Sequence, residues 1–88
     1  MLLNRSNLPP SGPVIPLDRM TSGEGGEIVE LRGGHLVMHR LIELGLVPGA
    51  HIDVVGDAGG RGPVLVKMNG TKIGIGRGMA RRVVVRPT

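Results

Sequence analysis

Apolar and polar positions fall into a regular pattern only from about Gly23 onward. Before it, Asn4, Ser6, Asn7, Pro9, Pro10, Ser11, Gly12 and Pro13 follow no period and cannot build a packed element. Residues 1–13 therefore read as a disordered tail, and residues 14–88 as one domain. Val14 to Leu17 should enter that domain as an extended segment, with Asp18 capping a single helical turn through Met20. Glu27 to Arg32 (EIVELR) reads as a first strand. Ile28 and Leu31 are three apart, so both reach the core only if a β-bulge lies between them.

His35 to Leu44 carries helical spacing. At about 100° per residue, Val37, Leu41 and Leu44 share one side, Met38 and Ile42 flank them, and His35, His39 and Glu43 lie opposite. Gly45 stands where a left-handed C-cap belongs. Val47-Pro48-Gly49 predicts a turn, and His51 to Gly56 a strand with Ala50, Ile52 and Val54 alternating inward. Asp57 to Gly62 (DAGGRG) reads as a flexible connection, and Pro63 opens a strand through Met68. Asn69-Gly70 fits a two-residue type I′ hairpin. That turn sets a register: Val66 opposite Ile73, Val64 opposite Ile75, Leu65 opposite Gly74, and Lys67 opposite Lys72 on the outer face. Arg77 to Ala80 predicts a short turn, and Arg82 to Arg86 a last strand with Val83 and Val85 inward. The pattern thus predicts a mainly β domain: a small five-stranded antiparallel barrel with one short α-helix inserted after the first strand.

Composition narrows the function. The 88 residues include no Phe, Trp, Tyr or Cys, so the core is thin and aliphatic. Without cysteine there is no disulfide framework and no thiolate metal site. Val14 to Leu17 is too short, and too broken by Pro16, for a signal-peptide core, and no run approaches the roughly 20 apolar residues of a membrane span. The expected location is the cytoplasm, without membrane insertion. Eleven Lys and Arg against seven Asp and Glu give a net charge of +4, which raises a nucleic-acid reading. The basic residues are scattered, however, and there is no aromatic ring on which a base could stack.

The segment Arg40 to Val54 (RLIELGLVPGAHIDV) joins a helix ending in Arg-Leu-x-x-Leu-Gly to a Pro-Gly turn and an alternating strand. This resembles the signature of the FeoA family of bacterial ferrous-iron uptake. Leu17, Gly23, Ile28, Leu31 and Gly33 match its opening. Pro63, Gly70, Ile73, Ile75, Arg77, Ala80, Val83 and Val85 match its second half. Coverage runs over about residues 15–86. The family often carries an acidic residue where Gly62 stands, and larger or charged residues at Gly74, Gly76, Gly78 and Met79, so the C-terminal surface is plainer here. The resemblance implies an SH3-like barrel that catalyses nothing and partners FeoB, the ferrous-iron permease with a cytoplasmic GTPase domain. Similar domains end some metal-dependent repressors.

The residues offer few sites of their own. His35, His39 and Glu43, at i, i+4 and i+8, could hold a divalent metal only weakly, because two full turns separate the outer ligands; no cofactor is expected. HxxxH here lacks the zincin glutamate, since Val37 and Met38 fill the intervening positions. Arg40 could act as an arginine finger on a GTPase, although one helix arginine is more commonly a surface contact. Of Leu46 and Val47, one should be exposed after the helix stop and mark a docking patch. The expected partner surface is Arg40, Leu44, Leu46, Val47 and Arg77. Gly59 and Gly60 lead into Pro63 and make no phosphate loop, and no nucleophilic triad can be assembled. An accessory protein docking onto FeoB is the leading reading. A ribosome-associated or other nucleic-acid module and a metal-responsive regulatory domain are its rivals.

Overall fold

The computed structural model describes residues 12–88, and most of the tail predicted over 1–13 lies outside the described residues. The chain runs β1 (Ile15–Pro16), a 3₁₀ turn (Leu17–Arg19), β2 (Gly25–Leu31), α1 (His35–Glu43) and β3 (His51–Gly56). A second 3₁₀ turn (Ala58–Gly60), β4 (Val64–Met68), β5 (Thr71–Ile75), α2 (Arg77–Ala80) and β6 (Val83–Pro87) follow. All strands belong to one antiparallel sheet in the order β1-β6-β2-β3-β4-β5.

The sheet has six strands where five were expected. The extra one is Ile15–Pro16, predicted as an extended entry to the domain, which pairs Ile15 with Val85 and Pro16 with Val84. The sheet curls around its core like a barrel, but its end strands β1 and β5 do not pair with each other. A two-residue strand containing proline has little ladder to offer for closure. Asp18 lies inside the first 3₁₀ turn and makes no cap there; the capping position is Pro16. Arg77–Ala80 is a full helical turn, with Met79 and Ala80 both donating to the Gly76 carbonyl.

The Asn69-Gly70 hairpin has the predicted register at every pair, from Val64–Ile75 to Lys67–Lys72. Asn69 (φ 52°) and Gly70 (φ 79°) both adopt positive φ, as a type I′ turn requires. The bulge predicted in β2 is present: Ile28 faces Val85, and the next pair is Glu30 with Val84. The extra residue returns Leu31 to the core side, where it packs, partly buried, against the cluster that holds fully buried Ile28. Leu17, Met20, Ile28, Leu41, Leu46, Ile52, Val54, Val64, Val66, Ile75, Val83 and Val85 form the buried interior. Val84, on the opposite face from Val83 and Val85, is also buried. Its strand lies inside the sheet, between Pro16 and Glu30 on the two neighbours.

Gly26 leaves no room for a side chain between β2 and β6. A Cβ placed there would sit 2.5 Å from the Arg86 carbonyl oxygen and 2.6 Å from Val85 Cγ1. Only glycine lets these two strands lie together at this point.

Candidate functional site

Helix α1 ends in a Schellman motif. Gly45 (φ 87°) donates its N–H to the Ile42 carbonyl at 2.9 Å, and Leu46 donates to the Leu41 carbonyl at 2.9 Å. The accompanying apolar contact is between positions C3 and C″, here Leu41 and Leu46, and both are fully buried. Leu46 is therefore core, which corrects its assignment to the partner surface. The reversal at Gly45 directs Leu46 inward and leaves Val47 36% exposed, so the expectation that one of the two faces solvent is met by Val47.

The helix itself is thinly anchored. Leu41 is its one fully buried residue, and Val37 and Met38 are half-buried. Leu44, expected on the core side, is 40% exposed; Ile42 is 51% exposed and Leu36 84%. Arg40, Glu43 and Leu44 line a shallow cleft whose other wall is Met79 of α2. Among the predicted partner residues, Arg40 and Leu44 thus meet at one place, and Val47 follows three residues after Leu44. Met79 was not on the sequence-derived surface. Its only sequence signal was an apolar residue among small ones, between Gly78 and Ala80.

Arg77 is elsewhere and occupied. Its Nε donates to the Gly62 carbonyl at 2.9 Å, Nη1 to the Asp18 carbonyl at 2.6 Å, and Nη2 to the Asp57 carbonyl. The guanidinium is half-buried and binds three loops by their backbones, which corrects its assignment to the docking surface. Asp57 completes the knot. Its carboxylate accepts N–H bonds from Ser22 (3.1 Å) and Gly59 (2.9 Å). The Ser22 bond, then the Gly59 bond, and the nearby Arg77 charge hold its pKa below the usual carboxylate range. The 57–62 connection, read as flexible, is ordered by these bonds. Asp18, Asp57 and Arg77 line a second open cleft with Arg19, Thr21 and the Gly59-Gly60 turn. Arg77 and both Asp57 oxygens are committed there to backbone partners. Asp18 Oδ1 is buried and, among the described residues, has no hydrogen-bond partner.

The histidine stripe is a solvent face. His39 Nδ1 and Glu43 Oε1 are 3.0 Å apart with side chains 72% and 63% exposed. Among the described residues no three His, Asp or Glu side chains gather closely enough to hold a metal ion. His35 lies one turn further and does not complete a set. On the sheet, Lys67 and Lys72 face each other as predicted, and Lys67 also faces Asp53 on β3. Among the described residues no helix is long and apolar enough to cross a membrane.

A model of the FeoA domain matches residues 15–87. A relative from Methanocaldococcus jannaschii named "Putative Fe(2+) transport protein A" is 31% identical over 70 residues, spanning 80% of this chain and 83% of its own. A crystal structure of the iron uptake regulatory protein FeoA superposes with a TM-score of 0.79 at 38% identity, covering 86% of this chain and 99% of that one. The FeoA of Stenotrophomonas maltophilia, crystallised with zinc and described as a prokaryotic SH3 domain protein, gives a TM-score of 0.68 at 28% identity, with 80% and 87% covered. The open, curled sheet described above is the SH3-like architecture of these structures, and the match spans every strand from Ile15 to Pro87. On this coverage the chain belongs to the FeoA family.

Proposed function

We propose that this chain is a non-enzymatic accessory protein of ferrous iron uptake that docks onto the cytoplasmic, GTPase-bearing end of a FeoB-type permease. Relatives named for Fe(2+) transport and for iron uptake support this reading. The observation that carries the docking role is the outer surface of α1, a helix with one fully buried side chain: Leu36 and Leu44 stand exposed one turn to either side of Arg40, and Val47 is exposed just beyond the helix. Apolar groups held in water beside a charged rim are what a protein partner covers on binding.

The charged groups of the other cleft support a role without chemistry, because Arg77 and Asp57 are engaged in holding loops. No resident cofactor enters this reading, and ferrous iron is the partner's cargo. Arg40 is exposed at the cleft rim, and its role here is contact rather than transition-state stabilisation.

The test is capture of the full chain by the purified cytoplasmic half of the permease. The wild type is expected to bind, and Leu44→Asp to bind at least about tenfold more weakly while keeping its circular dichroism spectrum. Failure of the folded wild type to bind would refute the docking role.

A further inference from the structure

We infer that the α1–α2 surface accepts an acidic, amphipathic segment of the partner protein, with an apolar side chain seated between Leu44 and Met79 and carboxylates met by Arg40 and Arg82. This inference rests on the docking reading and specifies the chemistry of the occupant.

The surface is built from two adjacent strips. Leu36, Arg40 and Leu44 are spaced i, i+4 and i+8, so they form one stripe about 12 Å long on α1. Chain segment 79–82 approaches α1 at two points. Met79 shares the cleft with Arg40 and Leu44 at the C-terminal end of the helix. At the N-terminal end, a Cβ placed on Gly33 would lie 3.2 Å from Val37 Cγ1 and 3.7 Å from Arg82 Cδ, so the Arg82 stem comes beside Gly33, just before α1. The Arg82 carbonyl also accepts the Arg32 N–H at 2.8 Å, which fixes this junction to the residues just before α1.

Charge selects the occupant. Arg40 and Arg82 are exposed, and among the described residues neither is in an ion pair. Arg32 and Arg86, by contrast, are each paired with a glutamate at 3.1 and 3.0 Å. Glu43, the one acid in the cleft, lies 3.0 Å from His39 Nδ1. Two exposed arginines, Arg40 and Arg82, stand against the single Glu43, so the surface is net positive and carboxylates complement it. Shape separates a peptide from an anionic lipid surface. The apolar pair Leu44–Met79 forms the walls of a cleft, which suits an inserted side chain. A flat headgroup layer would bring its phosphates against Glu43 as well as Arg40. Arginine at the rim, rather than lysine, suits the planar, two-point contact made with a carboxylate.

The experiment measures binding of the full chain to the cytoplasmic half of the permease at rising salt, and to phosphatidylcholine vesicles with and without phosphatidylglycerol. Arg40→Glu and Arg82→Glu are expected to lower permease affinity at least about tenfold together, with a flatter salt dependence. Arg40→Lys, which keeps the charge but not the planar fork, should recover only part of it, and Lys72→Glu, on the outer sheet face, should change it less than about twofold. If both arginine reversals bind like wild type while Leu44→Asp is impaired, the docking reading stands and the acidic occupant is refuted. If phosphatidylglycerol vesicles, and not the permease, capture the chain in an Arg40-dependent way, the occupant is lipid and the inference falls. If the wild type binds neither probe, both this inference and the docking reading fail.

Discussion

Arg77 Nη1 donates to the backbone carbonyl of Asp18 at 2.6 Å, joining α2 to the first 3₁₀ turn across 59 residues of sequence. The other two bonds of the same guanidinium reach Gly62 and Asp57. A side chain that bonds three main-chain oxygens acts as a strut. Arg77→Ala leaves those carbonyls to find water or go unpaired, and the expected loss is about 2–4 kcal/mol. Arg77→Lys should recover only part of it, because an ammonium cannot present the planar fork that spans three loops. Urea denaturation checks this: the midpoint should fall while the slope stays unchanged. Permease binding by whatever fraction remains folded should be unaffected.

The separation between Arg77 and the docking surface shows what sequence could and could not resolve. The hairpin register followed from Asn69-Gly70 because a type I′ turn leaves one alignment, and Val64, Val66, Ile73 and Ile75 then share a face. The β2 bulge followed from the three-residue gap between Ile28 and Leu31. These are local constraints. Arg77 and Leu46 were misplaced because their environments are set by residues distant in sequence or by a turn's three-dimensional path. Nothing near Arg77 in the sequence announces Asp18 or Gly62. The Schellman motif was legible at Gly45, but its consequence for Leu46, an inward turn onto Leu41, required following the C3–C″ contact. Leu44 lies outside the core for a related reason: α1 buries only Leu41 fully, so a residue on the nominal apolar arc remains 40% exposed.

Gly26 should tolerate no side chain. A methyl group there meets the Arg86 carbonyl oxygen and Val85 Cγ1 inside contact distance, and backbone cannot yield as a flexible side chain can. Gly26→Ala is expected to destabilise the fold by about 1–3 kcal/mol. Gly34→Ala, where the added carbon meets nothing within 4 Å, is the matched control and should change stability little. Paired thermal melts of the two variants decide the point.

Asp57 links stability to pH. Its folded pKa is depressed by the Ser22 and Gly59 N–H bonds and by Arg77. A carboxyl with a folded pKa below its unfolded value stabilises the native state above the unfolded pKa, roughly 4, and loses that contribution as pH falls through the folded value. Asp57→Asn removes the ionisable group. The variant should therefore be less stable than wild type at neutral pH, and the gap should narrow below about pH 4. Urea midpoints at neutral and acidic pH measure it; a gap that widens in acid contradicts the assignment.

The α1 histidines should bind zinc only weakly. His39 and Glu43 are adjacent, but both are largely exposed and, among the described residues, no third ligand converges on them. A titration is expected to show no binding tighter than micromolar, roughly 8 kcal/mol, and His35→Ala with His39→Ala should leave permease capture unchanged. Tight one-to-one binding abolished by that double substitution would reverse this conclusion.

Leu44 and Leu46 separate fold from function two residues apart. Leu46 is fully buried against Leu41, and Leu44 is 40% exposed beside Met79. Leu46→Ala opens a cavity at the seam between helix and sheet, with an expected cost of about 2–5 kcal/mol. In a small aliphatic domain that is a large share of a net stability on the order of 5 kcal/mol. Leu46→Asp would bury a carboxylate and should abolish cooperative unfolding. Leu44→Asp places the same charge in water and should keep the melting transition within a few degrees of wild type. Its effect belongs to binding, where it sets a negative charge beside Arg40 and removes the wall that faces Met79. A melt and a binding curve on each variant therefore give opposite patterns: Leu46 variants lose the transition first, and Leu44→Asp loses the partner while the transition remains. If Leu44→Asp also unfolded, α1 would be held by its whole apolar arc, and the exposed end of the helix would be part of the core.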